Sequence, residues 1–285
     1  MTVLPLLQKA TARSKQSKLM KLSIGPNKFT RPKKLKAAGQ LEHVDAKLFY
    51  GRKMEVVLPE PISIAIWRYG VFESDVAFYL LSSLSAGDCF IDIGGHFGYF
   101  SMLAREIVGE EGTVVSFEPM PKTREILTRN LNQNAAKASQ IIVPVAAGEE
   151  AGNVKFKDFG LVGSAFATSE TDRGDMSSFI EVDVEIRTID QVVKETGLTD
   201  CRLIKIDAEN AELQVVRGAL STLAAFSPHI ILETGDSANG ENNSAEVVAL
   251  LNQQGYIPYE FNNWKLVPHE MQSVYGYKNL LFIKA

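Results

Sequence analysis

The sequence of 285 residues predicts an α/β fold built on a doubly wound, mostly parallel β-sheet. From Cys89 onward, strand-like apolar runs alternate with helix-like stretches, which is typical of βαβ units. The runs FIDI, TVVSF, IIVPV and PHIIL are almost continuously apolar, as expected for parallel strands buried on both faces. No apolar run reaches the roughly 18 residues that would cross a bilayer.

Residues 1–40 form a basic N-terminal arm on an otherwise acidic chain. They contain ten lysines and arginines and no acid, so the net charge of −4 leaves −14 for the remainder. Such an arm is compatible with contact to an anionic membrane surface or to nucleic acid. Residues 3–22 could form a weak basic amphipathic helix, with a partly disordered arm or a dimer-contact helix as the alternatives. The arm lacks the uninterrupted apolar core of a signal peptide. Pro26 and Pro32 are expected to break any long helix.

The elements that follow are predicted in chain order. Residues 41–70 carry the strand-like runs KMEVVLP and ISIAIW and are expected to pack on the main domain, residues 71–285. Ser74 is a candidate N-cap for a helix that ends near Leu84. The strands CFIDIG, TVVSFEP, QIIVPVAA, RLIKID and PHIILET then lead to terminal strands near YIPYEF and NLLFIKA. Residues 148–187 hold period-two runs around the loop GLVGSAFATSE, which predicts a β insertion or cap.

Two cysteines, Cys89 and Cys201, each precede an apolar strand-like run. This pattern favours buried thiols in a reducing compartment, so a cytoplasmic location is expected. At this count a disulfide or a cysteine metal site has little support.

The stretch FIDIGGHFGYFS, residues 90–101, places a glycine turn between a buried strand and a helix. Asp92 precedes Gly94, Gly95 and Gly98, and ligands of doubly wound sheets bind outside the carboxyl ends of such strands. Glycines let a ligand approach the backbone, and the start of the next helix favours an anion. A P-loop is excluded because no lysine follows the last glycine, and the spacing G-G-x-x-G misses the dinucleotide pattern G-x-G-x-x-G.

S-adenosylmethionine is the remaining ligand that fits, since it carries a carboxylate, an ammonium, a sulfonium and a ribose. It needs an acid near the glycine turn, which Asp92 supplies, and an acid after the next strand, which Glu118 supplies. Glu118 is expected to accept the ribose hydroxyls, and Pro119 and Met120 to flank the adenine. His96 is interpreted as a cofactor contact, with a polar loop residue that satisfies local backbone as the alternative.

Several ordered motifs resemble the FkbM-type family of class I S-adenosylmethionine-dependent methyltransferases. They lie between residues 70 and 235 and read FES, DCFIDIGGHFGYFS, SFEPMPKTREILTRNLNQN, VPVAAGEEAG, VEIRTID and LIKIDAENAELQVVRGA. The resemblance implies a seven-stranded, Rossmann-like sheet and O-methylation of hydroxyls on natural products, sugars, glycolipids or polysaccharides. It also implies cofactor contacts from Glu73 and Ala147, although Glu73 would serve equally as an acid at a helix start.

Two positions depart from the family pattern. The loop commonly reads G-A-N-x-G, and here it reads GGHFG. The later motif commonly reads K-x-D-x-E-G, and here Lys205, Asp207 and Glu209 are followed by Asn210. Asparagine tolerates a left-handed backbone better than other non-glycine residues, so the turn is expected to survive. A non-catalytic protein that retains the S-adenosylmethionine pocket is an alternative reading.

Three carboxylates are predicted to act on the acceptor. Asp207 and Glu209 follow one strand and Glu233 ends the next, so all three should lie beside the cofactor. Clustered carboxylates raise one another's pKa, which suits a general base. They would also suit Mg²⁺, to which the sequence does not commit, and no metal ligand is assigned. In the alternative, Asp207 orders the loop and Glu209 or Glu212 caps the helix start.

The expected acceptor is a small molecule or a glycan. Ser164, in the loop of the insertion, is a candidate acceptor contact, with a plain surface hairpin as the alternative. Nucleic acid is a less favoured partner, since the segment after the fourth strand reads IDAEN in place of the D/N-P-P-Y/F of many base methyltransferases. An RNA methyltransferase that uses the basic arm is therefore the second hypothesis, and a homo-oligomer is compatible with the sequence.

Overall fold

A computed structural model describes residues 3–16, 25–133, 138–164, 179–236 and 244–285. The helices in these ranges are α1 (Leu4–Ser14), α2 (Asn27–Ala38), α3 (Pro61–Tyr69), α4 (Ser74–Ser83), α5 (Tyr99–Val108), α6 (Pro121–Gln133), α7 (Ile189–Thr196), α8 (Glu212–Arg217), α9 (Leu220–Phe226) and α10 (Ser244–Gln253). The strands are β1 (Glu42–Lys47), β2 (Lys53–Leu58), β3 (Cys89–Ile93), β4 (Thr113–Phe117), β5 (Ser139–Val143), β6 (Ala146–Ala147), β7 (Gly152–Asp158), β8 (Ile180–Arg187), β9 (Leu203–Ile206), β10 (His229–Thr234), β11 (Tyr256–Asn262), β12 (Lys265–Pro268) and β13 (Lys278–Lys284). None of the described helices combines the length and the apolar character that crossing a membrane requires.

The main sheet has the strand order β12-β11-β13-β10-β9-β3-β4-β5. The five strands from β5 to β10 pair in parallel, and β13, β11 and β12 pair antiparallel. Because β3 lies between β4 and β9, the strand order reverses there and opens a crevice at the carboxyl ends of these strands. The predicted doubly wound, mostly parallel, Rossmann-like sheet is confirmed.

The sheet has one strand more than the predicted seven. The additional strand, β12, returns on β11 through a two-residue hairpin at Asn263 and Trp264, whose φ angles are 47° and 65°. Tryptophan is uncommon at a positive φ, so this turn carried no sequence signal. Stacking of Trp264 on Phe78, with ring centroids 5.2 Å apart, holds it in place.

Both faces of the sheet are covered by helices. Successive residues of β3 alternate between the two layers: Phe90 packs in the core beneath α1, α4, α5 and α6, and Ile91 packs in the core beneath α7, α8, α9 and α10. All residues of β3 and β9 are buried, which agrees with their nearly continuous apolar sequence.

The run ISIAIW was predicted as a strand and instead forms helix α3. Pro61 occupies the first helical position, and the Glu60 carboxylate accepts the backbone N–H of Ile62 at 2.8 Å as an N-cap. Isoleucine at every second position suits a strand, but it also places Ile62 and Ile66 four residues apart on one face of a helix. The N-cap at Glu60 favours the helix. The run KMEVVLP forms strand β2 as predicted.

Two further local predictions were wrong. Pro32 lies inside α2 and does not break it, because the Lys28 carbonyl that the proline leaves unpaired accepts the Arg68 Nε–H at 2.9 Å. Ser74 is the first residue of α4, and the cap position belongs to Glu73, whose φ of 39° is left-handed.

The predicted β insertion contains the antiparallel pair β7 and β8, joined by β6 into a three-stranded sheet. The run QIIVPVAA is divided at Pro144, because proline cannot donate to a ladder, and its second part supplies β6. Of the loop GLVGSAFATSE, residues 165–170 lie outside the described residues.

Candidate active site

A pocket opens at the carboxyl ends of β3, β4 and β9 and reaches the insertion. It holds about 700 Å³ of empty volume, including the part that is open to solvent. Eight of the predicted site residues line it, namely Gly94, His96, Glu118, Pro119, Ala147, Ser164, Asp207 and Glu209. Met120, expected beside the adenine, belongs to its apolar wall together with Ile62 and Phe156, which no sequence pattern indicated.

Five predicted site residues do not line this pocket. Gly95 and Gly98 shape the glycine turn behind it, and Glu233 reaches it only through a hydrogen bond to Asp207. Asp92 is buried and Glu73 is partly buried, and both lie in the electrostatic neighbourhood of Lys205.

The glycine turn locks the ends of three strands together. Gly94 has a φ of 78°, and a Cβ at this position would lie 2.0 Å from the backbone oxygen of Asp207, so only glycine fits. The backbone N–H groups of Gly94 and Gly95 both donate to the Phe117 carbonyl, at 3.1 and 2.8 Å. These two amides are therefore used within the protein and are not available to a ligand.

Glu118 follows β4 and is held by two backbone amides. Its Oε2 accepts the N–H of His96 and its Oε1 accepts the N–H of Met120, each at 2.9 Å. Burial raises the pKa of Glu118 to about 8. When Glu118 is ionised, each carboxylate oxygen keeps a second lone pair, so that form can accept hydrogen bonds from two hydroxyl groups.

The His96 side chain points toward the insertion, where it contacts Ser164 and not the neighbouring backbone. Its φ is 49°, its ring stacks on Phe97 with centroids 3.9 Å apart, and its Nε2 lies 2.8 Å from the Ser164 Oγ. Because the Ser164 hydroxyl donates to the Leu161 carbonyl at 3.1 Å, it accepts from an Nε2–H tautomer of His96. Burial lowers the pKa of His96 to about 4, so the ring is neutral at pH 7.

Lys205 is a site residue that the sequence analysis quoted but did not assign. Its side chain is only 2% exposed, its Nζ lies 2.8 Å from the Asp207 Oδ2, and it sits 5.1 Å from the centre of the Phe100 ring. Burial opposes the ammonium, but the charges of Asp207, Glu73 and Asp92 raise the pKa of Lys205 above its usual value. The available signal was a lysine inside an otherwise apolar strand.

Asp207 and Glu233 share a hydrogen bond, and at neutral pH Asp207 is ionised while Glu233 is protonated. Burial and the neighbouring Asp207 charge raise the pKa of Glu233 to about 10, so Glu233 is protonated at pH 7 and donates to Asp207. Burial also opposes ionisation of Asp207, but the Lys205 ammonium holds the pKa of Asp207 below its usual value. The expected rise in pKa therefore falls on Glu233 and not on Asp207.

The loop after β9 has a left-handed backbone at Glu209 and Asn210, with φ angles of 51° and 84°. The left-handed conformation expected at Asn210 is confirmed. Glu212 supports the loop, because its Oε1 accepts the backbone N–H groups of Ala208 at 2.9 Å and Asn210 at 3.3 Å. Burial raises the pKa of Glu212 to about 7.

Two buried carboxylate oxygens lack hydrogen-bond partners within the described residues: the Oε2 of Glu73 and the Oδ1 of Asp92. The other oxygen of Asp92 accepts the Ser101 hydroxyl at 2.5 Å. Unsatisfied buried carboxylate oxygens are costly, so this region calls for a donor that the described residues do not supply. In the same described ranges, no three His, Cys, Asp or Glu residues are arranged to hold a metal ion.

A comparison with known protein families matches residues 92–258, more than half of the chain, to the FkbM methyltransferase domain. The chain belongs to the FkbM methyltransferase family. It is a methyltransferase, and the resemblance carried by the sequence motifs is confirmed.

Two curated proteins and one solved structure are similar to this chain. The methyltransferase sdnD of Sordaria araneosa is 23% identical over 203 residues, which cover 62% of this chain and 77% of sdnD. The hexuronic acid methyltransferase AglP of Haloferax volcanii is 26% identical over 168 residues, which cover 57% of this chain and 63% of AglP. The structure of methyltransferase FkbM from Methylobacillus flagellatus aligns with 14% identity and a TM-score of 0.47, over 79% of this chain and 56% of that one. This chain thus spans less than two thirds of two of the three relatives.

The residues present fit S-adenosylmethionine, the methyl donor that the family implies. Glu118 retains lone pairs for the two ribose hydroxyls, and the adjacent Pro119 and Met120 offer apolar surface for an adenine. Glu73 and Asp92 do not line the pocket, so this fit rests on Glu118, Pro119 and Met120.

Proposed function

We propose that this FkbM methyltransferase uses S-adenosylmethionine to methylate a hydroxyl group of a small-molecule or glycan acceptor. The observation that supports it best is one pocket with two different carboxylates. Glu118 has spare acceptor capacity and suits the donor, and Asp207 is ionised and suits the acceptor.

The proposed role of Asp207 is to receive the acceptor proton. Bound S-adenosylmethionine supplies a methyl group activated by a sulfonium. As an attacking hydroxyl oxygen loses electron density, the nearby Asp207 carboxylate stabilises the developing positive charge and accepts the proton. Lys205 and Glu233 fix the orientation of Asp207, because both donate hydrogen bonds to its carboxylate.

The apolar wall contributes by limiting water in the pocket. Ile62, Phe156 and Ala211 line it together with Ala146. Methyl transfer is an in-line displacement that depends on near-attack alignment, and exclusion of water strengthens the electrostatic contribution of Asp207. The wall therefore supports transfer to an organic acceptor in place of hydrolysis.

The class of acceptor rests on the relatives and on the pocket. AglP is named a hexuronic acid methyltransferase, which favours a glycan or a sugar-like small molecule for this protein. His96 and Ser164 add two neutral polar groups to the pocket, and such groups suit hydroxyl recognition.

The test is an Asp207→Asn variant assayed on a panel of sugars, hydroxylated small molecules and RNA. We expect S-adenosylhomocysteine formation to fall about 100-fold or more, since Asn cannot accept the proton. Affinity for S-adenosylmethionine, measured by isothermal titration calorimetry, should stay close to that of the wild type. The matched control is Asp200→Asn, an exposed carboxylate just before β9 at the opposite end of the strand.

Three results would contradict the proposal. Unchanged turnover in the Asp207→Asn variant would remove Asp207 from the chemistry. Binding of S-adenosylmethionine without turnover on any acceptor would favour a non-catalytic protein. Methylation of RNA alone would favour the nucleic-acid hypothesis.

A further inference from the structure

A second pocket lies between α1, the end of β1 and the end of α3. Five cations line it: Lys9, Arg13, Lys28, Lys47 and Arg68. It holds about 820 Å³ of empty volume including its open mouth, and no Asp or Glu of the described residues lines it. We call it the basic pocket; it shares no lining residue with the pocket described above.

Two of the five cations have structural partners. The Lys28 Nζ donates to the carbonyls of Trp67 at 2.8 Å and Arg68 at 3.3 Å, where it stabilises the carboxyl end of α3. The Arg68 Nε donates to the Lys28 carbonyl, and its guanidinium lies 4.5 Å from the Phe29 ring centre. These contacts explain why Lys28 and Arg68 are held together.

The other three cations have no such explanation. Lys9, Arg13 and Lys47 form no ion pair and no side-chain hydrogen bond with any residue that the structure describes. Lys9 and Arg13 are four residues apart on α1, so their like charges lie on one helix face and repel. Burial lowers the pKa of Lys28, and the nearby Arg13 charge lowers it further, so at Lys28 the charge of Arg13 is not fully compensated.

Helix α1 fixes these charges above the pocket. Leu7 is fully buried and Ala10 is only 6% exposed, so the helix is anchored to the main domain. The side chains of Phe49 and Trp67 supply an aromatic wall on the opposite side. The positive charges are therefore concentrated in a concave site with an apolar wall, whereas a solvated tail would spread them.

We propose that the basic pocket binds the phosphate groups of a phosphorylated ligand, with pyrophosphate as its minimal form. Phosphate oxygens accept several charge-assisted hydrogen bonds at once, and the three cations without partners can supply them. The phosphate could belong to a soluble compound or to a phospholipid headgroup. Leu4 and Leu6, which are 37% and 41% exposed on α1, lie on the same helix and would contact the acyl region in the second case.

Binding is measured through the fluorescence of Trp67. The chain has two tryptophans, and Trp264→Phe leaves Trp67 as the single reporter. Titration with inorganic pyrophosphate is expected to give a saturable change. In this background, Arg13→Gln and Lys47→Gln should each weaken pyrophosphate binding about tenfold or more, since each removes a charge-assisted hydrogen bond. Lys34→Gln, an exposed lysine on α2 outside the pocket, is the matched control and should bind as the parent does.

Vesicles distinguish the two sources of phosphate. Cosedimentation with phosphatidylglycerol vesicles but not phosphatidylcholine vesicles, lost in Arg13→Gln and Lys47→Gln, would support the pocket and assign it to a headgroup. Pyrophosphate binding without cosedimentation would support it and assign it to a soluble ligand.

Two results would overturn the proposal: no saturable response to pyrophosphate, or equal weakening by Lys34→Gln and Arg13→Gln. The second result would indicate diffuse charge in place of a site. Affinity for S-adenosylmethionine, measured on the same variants, should not change, which separates this test from that of the proposed function.

Discussion

The two rims of the active-site pocket are built on different principles. The β3–β4 rim, which comprises the glycine turn and Glu118, is held mainly by backbone hydrogen bonds to strand ends and to one carboxylate. The β9–β10 rim comprises Lys205, Asp207, Glu209 and Glu233, and is held by charges and shared protons.

This difference indicates which rim tolerates the loss of a single contact. On the β3–β4 rim each hydrogen bond pairs one donor with one acceptor and does not depend on the charge of a neighbour. The loss of one hydrogen bond therefore leaves the other hydrogen bonds in place. On the β9–β10 rim the charge of Asp207 depends on Lys205, and the proton of Glu233 depends on Asp207. Removing one member of such a buried network leaves uncompensated charge.

The largest expected effect follows from Lys205→Met, which removes the cation hydrogen-bonded to Asp207 while keeping most of the side chain's length. We expect the free energy of unfolding to fall by about 3–5 kcal/mol, as when one partner of a buried pair is removed. Urea denaturation measures it. The control is Lys155→Met, which breaks an exposed, solvent-screened pair with Glu181 and should leave the free energy of unfolding close to that of the wild type. Equal losses in the two variants would refute the network on the β9–β10 rim.

The next effect tests the contact between the rims. Gly94→Ala would force a Cβ against the Asp207 carbonyl and strain a φ of 78°, so we expect a loss of about 2–4 kcal/mol in the free energy of unfolding. Gly39 has a similar φ of 62°, but a Cβ added there would have no atom within 4 Å. Gly39→Ala should therefore lower the free energy of unfolding by only about 1 kcal/mol. The difference in unfolding free energy between the two variants measures the cost of the contact between a Cβ added at Gly94 and the Asp207 carbonyl, apart from backbone strain. Equal losses would mean that the two rims are independent.

A smaller effect is expected for Glu118→Gln on the β3–β4 rim. The amide places an NH₂ group against the backbone N–H of either His96 or Met120, so one hydrogen bond and one acceptor are lost. Calorimetry should show the Kd for S-adenosylmethionine rising about tenfold. Glu111→Gln, on the exposed turn before β4, serves as the control. Unchanged affinity in the Glu118→Gln variant would remove Glu118 from donor binding.

The last prediction is a pH dependence of stability, which is spread over several pH units. Burial raises the pKa of Glu233 from 4.5 to about 10, so the folded protein binds more protons than the unfolded chain between these values. The stabilising contribution of Glu233 is then complete below pH 4.5 and is lost as the pH rises toward 10. Thermal unfolding should show a shallower decline of Tm over this range in Glu233→Gln than in the wild type. The control Glu246→Gln, exposed on α10, should follow the wild type, and identical slopes in all three proteins would exclude the shared proton.

The sequence could predict the β3–β4 rim because its signals are local. The glycines, the acid after the next strand and the apolar strands lie in short segments, and each element type follows from its own period. The left-handed turn at Asn210 was also predictable, since it depends on the conformational preference of one residue.

Much of the rest depends on contacts between segments far apart in the chain. Which carboxylate of the β9–β10 rim is ionised follows from the proximity of Lys205, Asp207 and Glu233, which no local pattern encodes. The basic pocket likewise needs Lys47 and Arg68 from outside the N-terminal arm. For helix α3 the apolar pattern suited two periods, and a single capping contact from Glu60 decided between them.

The central claim is that the two rims divide the work, with the donor on the β3–β4 rim and the acceptor chemistry on the β9–β10 rim. A crystal structure with S-adenosylmethionine bound tests it most directly. We predict both ribose hydroxyls at about 3 Å from the Glu118 carboxylate, with the sulfonium methyl facing Asp207. A donor bound away from Glu118, or a methyl group directed away from Asp207, would contradict the claim.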